Sequence, residues 1–319
     1  MNEPGGERVA VSRLQDYLNT DRGLRTALWL GRVVPPRIAS AGIAGIARLS
    51  ARRKDSRMVS AVKSNLAVVL GTAEDDPGLD KHVARVLFHA GIASFEFFHK
   101  VAHGREALGE LVYLPPELLE MFEANAAAGR GMMAVSAHLG ALDLAGVAFT
   151  VTDFQVQVIS YAAPPPGYQL VNELRNNHGL IITPGSKEAL AEATARLESA
   201  GIVFTAVDRP VPKGRKATEV SFFGRPTRLW NGYARMAFAT GALLFFVWVV
   251  RSPEGRYEIR FNEPIDCADP PGDVDFVTSL ILQQAEEAIR ANPDQWLMFF
   301  PVWPNTASPD VDEFSREKT

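Results

Sequence analysis

The chain has 319 residues, 47% of them apolar, which is enough for a sizeable core in one large domain or two small ones. Its net charge of −4 lacks the basic excess of a nucleic-acid binder, so no nucleic-acid partner is expected. The single cysteine, Cys267, excludes an internal disulfide and a multi-cysteine metal site, and fits a reducing compartment.

The first residues, Met1 to Glu7, are polar and acidic and lack the pattern of a secretory signal. Charge is uneven along the chain. Residues 1–65 carry twelve Lys and Arg against five Asp and Glu, whereas residues 253–319 carry five against fourteen. Residues 11–65 read as helices that mix leucines (Leu14, Leu18, Leu24, Leu28, Leu30) with arginines (Arg13, Arg22, Arg25, Arg32). Pro35-Pro36 forces a break, because proline removes a donor and restricts its predecessor. The segment 38–49 is small and apolar, with Gly42 and Gly45, and suits either close packing on protein or a lipid interface. The stretch 27–49 is interrupted by Arg32, the prolines, Arg37 and Arg48, and falls short of the ~18–20 apolar residues that span a bilayer. Residues 1–65 are therefore expected to form an amphipathic layer that faces a membrane without crossing it.

Residues 80–104 have helical spacing of Val83, Val86, Leu87, Ile92, Phe95 and Phe98. Beyond them, short apolar runs at 132–135, 156–159, 180–182, 202–206 and 243–250 read as buried strands, with 257–261 as one more. Helical patterns at 142–151, 169–178, 186–199 and 230–240 lie between them, and 276–291 reads as a final helix. Buried strands alternating with helices predict an α/β fold with a mainly parallel central sheet flanked by helices. The expected organisation is a helical layer over 1–65, an α/β domain over 66–304 and a polar tail over 305–319.

His138 follows the first of these strands, and Asp143 lies five positions later where a helix begins. Catalytic groups collect at the carboxyl ends of parallel strands. An imidazole titrates near neutrality, and a carboxylate can hold its second nitrogen. Asp208 ends the run 202–207 at the same expected edge; it can orient His138, as Asp143 can, orient a reacting hydroxyl, or merely end a strand. The loop beyond it carries Arg209, Lys213, Arg215 and Lys216, four cations that either hold phosphate or are a solvated cluster. Arg175, on a helix just before a strand, is a second candidate for anions. Residues 222–227 read as a turn in which Gly224 admits a ligand or simply a tight bend, with Arg225 beside it as a candidate substrate contact. His99 and His103 stand four apart without the H-E-x-x-H pattern, Ser136 lacks a G-x-S-x-G elbow, and P-loop and G-x-G-x-x-G motifs are missing. No metal or cofactor is expected.

Taken in order, these segments resemble the bacterial lysophospholipid and lipid A late acyltransferases, which include phosphatidylinositol mannoside acyltransferases. The first block, H-x-G-N-W-E or H-x-G-N-x-D in the family, stands here as His138-Leu139-Gly140-Ala141-Leu142-Asp143. It departs at Ala141 and Leu142, where the family has Asn and Trp. Arg175 with Gly179 is similar to the second block, Asp208 to the third, and Phe222 through Ala239 to the F-F-G-x-P block and its helix. Pro293-Asp294-Gln295-Trp296 with Trp303 resembles the last block, and Asn65-Leu66 an early N-L pair. The likeness spans about residues 25–304. It implies transfer of a fatty acyl chain from acyl-CoA or acyl carrier protein to a hydroxyl of a lipid or glycolipid. His138 would be the base, Asp143 or Asp208 the carboxylate that stabilises its imidazolium, and Arg175, Arg209 and the basic loop the phosphate contacts. It also implies a peripheral position on the cytoplasmic face of the bacterial inner membrane. Two other readings stay open: a thioesterase in which water replaces the alcohol, and a weakly catalytic lipid-binding protein on the same fold.

Overall fold

A computed structural model describes residues 21–303 except 54, 104–110, 150, 151, 153, 161–165, 178 and 212–216. Of the helices expected over 11–65, the described residues hold α1 (Asp21–Val33), α2 (Pro36–Ala51) and α3 (Arg57–Leu70). Pro36 occupies the first turn of α2, where its missing N–H costs nothing. Ser56 caps α3 through Val59 N–H, and Gly71 closes it in the left-handed conformation. The boundary expected at residue 65 lies inside α3, and the expected tail over 305–319 lies outside the described residues. The long helix α4 (Leu79–His103) matches the expected 80–104 and packs against α1, α2 and α3.

The rest of the chain builds a central sheet. Its strands are β1 (Val112–Tyr113), β2 (Met132–Ser136), β3 (Val156–Ser160), β4 (Ile181–Pro184), β5 (Ile202–Ala206), β8 (Leu243–Arg251), β9 (Tyr257–Phe261) and β10 (Ile265–Asp266). The order is β1-β9-β8-β2-β5-β3-β4, with β10 pairing β8 beside β9. β8, β2, β5, β3 and β4 run parallel to one another, as β1 does to β9, and β8 pairs antiparallel with β9 and β10. β6 (Thr218–Phe222) and β7 (Arg225–Leu229) form a separate hairpin.

Helices cover both faces, so the strands read as unbroken apolar runs. In β2, Met133 and Val135 join the core under α8 (Lys187–Glu198), α9 (Gly232–Thr240) and α10 (Val274–Ala291). Met132 and Ala134 face the opposite core under α5 (Pro116–Ala127) and α6 (Leu142–Phe149). The same alternation runs along β8 from Leu243 to Val249. α7 (Pro166–Asn177) leads into β4. Among the described residues, no helix is long and apolar enough to cross a membrane.

The segment after α10 closes the molecule. A 3-10 turn (Pro293–Gln295) leads into Trp296, and Asp294 is held by His82 and Arg85 of α4. The buried side chain of Asn65 donates to the carbonyls of Met298 and Phe300 and accepts from Val302 N–H. This residue of the early N-L pair thus anchors the last described strand of chain.

Candidate active site

Parallel register creates the site. β2 and β5 pair so that Ser136 stands opposite Ala206. Val207 N–H donates to Ser136 O, which continues the pairing one step further (2.8 Å). His138 and Asp208 each follow the last residue of their strand by two positions, and so emerge side by side. The chain turns at His138 itself, where Leu139 N–H reaches Ala137 O at 2.6 Å.

His138 Nδ1 lies 2.7 Å from Asp208 Oδ1, and the His138 backbone N–H donates to Oδ2 at 2.8 Å. An ionised carboxylate only accepts, so Nδ1 carries the proton and Nε2 keeps its lone pair. The His138 side chain is 37% exposed, whereas Asp208 is fully buried. Trp296 Nε1–H donates to Oδ2 at 2.7 Å and supplies a third bond to the carboxylate. Burial alone pushes the Asp208 carboxyl up. The attraction of the His138 ring when it is protonated, the hydrogen bonds of His138 and the bond from Trp296 outweigh it and hold Asp208 below its ordinary value.

Asp143 is placed elsewhere. It stands in the first turn of α6, where an acidic group is favoured by the helix dipole, and its side chain is 46% exposed. Its Oδ2 accepts from Arg175 Nη2 at 2.7 Å. Arg175, buried in the last turn of α7, also donates to Asn172 Oδ1 at 2.7 Å. Of the two carboxylates expected to hold His138, the structure puts Asp208 on Nδ1 and Asp143 on Arg175. Asp208 already engages both the ring and the backbone of His138.

The other expected contacts are more scattered. The Arg209 guanidinium lies 4.3 Å from the ring centre of Phe300. Lys213, Arg215 and Lys216 lie outside the described residues. Gly224 forms the tip of the β6–β7 hairpin with φ +70°, and a side chain there would meet nothing within 4 Å. Its glycine therefore serves the turn rather than a close approach. Arg225 is exposed and lines a cleft with Ser64, Glu74 and Trp303 that contains neither His138 nor Asp208.

Several site residues were not given roles from sequence. Gly140 has φ +70°, and a Cβ there would come within 2.0 Å of Val249 O, so this turn of the His138 loop needs glycine twice over. Its N–H donates to Gln295 O at 2.9 Å, and Leu297 N–H donates to His138 O at 2.7 Å. Leu139 and Trp296 thus form an antiparallel bridge. The Gln295 side chain accepts from Arg251 N–H at 2.8 Å and donates to Arg251 O at 3.0 Å, which fastens this segment to the end of β8. The Arg251 guanidinium is held by buried Glu96, which also accepts from Tyr257 Oη. The signal for these roles was the Pro293 to Trp296 block, whose position against the loop only the fold supplies.

The arrangement is an imidazole whose Nε2 has no partner among the described residues, a carboxylate that fixes its tautomer, and an arginine–carboxylate pair. It suits removal of a proton from a hydroxyl. Among the described residues, no cluster of His, Cys, Asp or Glu has the spacing to hold a metal ion.

Known proteins similar to this chain are acyltransferases. The model of the bacterial lipid A biosynthesis acyltransferase family matches residues 23–305. The chain belongs to that family. It is 29% identical over 192 residues to a phosphatidylinositol mannoside acyltransferase of Mycobacterium tuberculosis, a match covering 58% of this chain and 58% of that relative's length. A protein of the same description from Mycolicibacterium smegmatis is 27% identical over 298 residues, covering 89% of this chain and 91% of the relative.

Proposed function

We propose that this member of the lipid A biosynthesis acyltransferase family moves a fatty acyl chain from a thioester donor to a hydroxyl of a glycolipid, with His138 as general base. The observation that carries the reading is the His138–Asp208 pair, held by register at the carboxyl edge of a parallel sheet. The mycobacterial relatives, named for acyl transfer to phosphatidylinositol mannosides, direct the acceptor toward a mannosylated phospholipid. The donor is acyl-CoA or acyl carrier protein.

In this scheme Nε2 of His138 takes the acceptor's hydroxyl proton as the oxygen attacks the thioester carbonyl. Asp208 stabilises the imidazolium that forms. When the tetrahedral centre collapses, the carbon–sulfur bond breaks and the imidazolium returns its proton to the leaving sulfur. The thioester is already activated, so holding the acceptor beside it suffices and no acyl-enzyme is needed. Arg175, whose two Nη groups donate to Asn172 and Asp143, would contribute its positive charge beside a phosphate of donor or acceptor.

Access to a lipid acceptor is provided by the amino-terminal helices. Trp29, Val33, Ile38, Ile46 and Leu49 are exposed on α1 and α2, among exposed Arg25, Arg32, Arg37, Arg48 and Arg52. Such a mixture suits the surface of an anionic bilayer on its cytoplasmic side.

The test is His138→Ala. It should leave the circular dichroism spectrum unchanged and abolish transfer of labelled acyl chain to a phosphatidylinositol mannoside acceptor. Turnover like wild type in the folded variant removes His138 as base. Release of free fatty acid without need of the acceptor identifies a thioesterase instead.

A further inference from the structure

We propose that Trp296 is a positioning residue for the reaction: its indole N–H, aimed by Phe223, locks Asp208 in the orientation that fixes the His138 tautomer. The inference deepens the reading of His138 as base and rests on it for its catalytic consequence.

The geometry starts at the β6–β7 hairpin. Its two-residue turn is Phe223-Gly224, with φ of +52° and +70°. Positive φ at both positions is the type I′ pattern, which favours Asn-Gly. A bulky residue in the left-handed region is an outlier, retained only where its surroundings hold it. Here Phe223 N–H donates to Glu286 Oε1 of α10 at 2.6 Å, and the Arg290 guanidinium covers its ring at 4.6 Å. Held in this way, the Phe223 ring stacks on Trp296 with centroids 6.3 Å apart and planes 29° apart. Phe222 and Trp303 pack on the other rings of the cluster, at 6.5 Å and 6.2 Å from Trp296.

Trp296 is 2% exposed, and its Nε1–H has a single acceptor, Asp208 Oδ2. That oxygen also takes the His138 backbone N–H, so two donors fix Oδ2 and leave Oδ1 for the ring nitrogen. Without the indole donor, one backbone N–H would hold Oδ2 alone, and the carboxylate could turn about its side-chain bond. The F-F-G and Q-W segments would then act on the dyad from behind, through Asp208, without touching substrate.

Trp296→Phe removes the donor and keeps a stacking ring. Trp303→Phe is the control, because Trp303 Nε1–H donates to Phe222 O in the same cluster at 3.0 Å but does not reach Asp208. Ring nitrogen NMR of 15N-histidine protein, with His138 assigned by its absence in His138→Ala, reports the tautomer without any turnover. In wild type and Trp303→Phe the signals should show the Nδ1–H form. In Trp296→Phe they should move toward a mixture of tautomers. Turnover should fall tenfold or more, with Michaelis constants for donor and acceptor within about twofold of wild type. If Trp296→Phe does not fold, Phe223→Asn serves, since Asn-Gly suits the turn while the stacking ring is lost; its signals should move the same way. A His138 tautomer unchanged in the folded variant overturns the inference. A shifted tautomer in a protein whose His138→Ala form still turns over upholds the positioning and overturns the catalytic reading.

Discussion

Replacing Asp208 with asparagine separates orientation from burial. The carboxylate makes three hydrogen bonds: His138 N–H and Trp296 Nε1–H to Oδ2, and His138 Nδ1–H to Oδ1. An amide has one accepting oxygen and one donating nitrogen. Its oxygen will stay with the two fixed donors, which places the NH2 group against Nδ1. Nδ1 must then accept, the ring proton moves to Nε2, and the lone pair needed for base catalysis is gone. By analogy with carboxylate-to-amide changes at other His-orienting positions, turnover should fall about 10³- to 10⁴-fold. Stability should fall much less, because all three positions still find partners. All three charge-assisted bonds become neutral ones, at a cost of about 1 kcal/mol each, part of which the easier burial of a neutral amide offsets. Asp208→Ala differs, since it leaves two buried N–H groups without acceptors and should cost about 3–5 kcal/mol. The assay is acyl transfer under saturating substrates alongside urea denaturation of both variants. Asp208→Asn with turnover within about threefold of wild type would refute the assignment of Asp208 as the partner of His138.

Two further outcomes are expected. His89 on α4 has its pKa lowered to about 4, by burial first and then by Arg251 and Arg85, against Asp294. The unfolded chain therefore takes this proton before the folded one does, so the contribution is complete above pH ~6.5 and is lost as pH falls toward 4, by up to about 3 kcal/mol. Denaturation of wild type and His89→Phe between pH 7 and 4 should show a steeper loss in wild type, and parallel curves would exclude His89 as the cause. Trp29→Ser combined with Ile46→Asn should weaken sedimentation with anionic vesicles at least about tenfold, since each exposed side chain contributes about 1.5–3 kcal/mol when it enters the lipid. Wild-type binding should weaken as salt is raised, and binding that persists at high salt in the double variant would place the contact elsewhere.

The fold was legible where one physical rule dominates. Strands buried on both faces must be apolar throughout, so β2, β5 and β8 stand out as runs, and their ends agree with expectation within a residue or two. The hairpin was not legible as strands. Thr218-Glu219-Val220-Ser221-Phe222 and Arg225-Pro226-Thr227-Arg228-Leu229 bury only alternate positions, and Pro226 argues against a strand. Only its Phe-Gly turn showed in the sequence. Helix α5 carried the signal of Pro116 at its start but lies outside the apolar runs that drew the sheet.

For the candidate site, local spacing and long-range register point in different directions. Asp143 is close to His138 in sequence and sits at a helix start, which makes it the obvious partner on spacing alone. The turn at His138 and the left-handed Gly140 separate the two, however, and α6 presents Asp143 to Arg175. Asp208 is seventy residues away yet meets His138 because both leave adjacent parallel strands at the same step. Partnership at the edge of a parallel sheet is therefore decided by equal distance from strand ends, a quantity that can be read from sequence once the strands are bounded. Trp296 follows no such rule. It reaches Asp208 beside an antiparallel bridge to Leu139, in the segment that follows α10 and is held by Asp294 on α4. A contact that depends on the assembled tertiary structure leaves only a composition signal in the chain, here a tryptophan beside a glutamine after a helix. The hydrogen-bond partner of that tryptophan had to come from the fold.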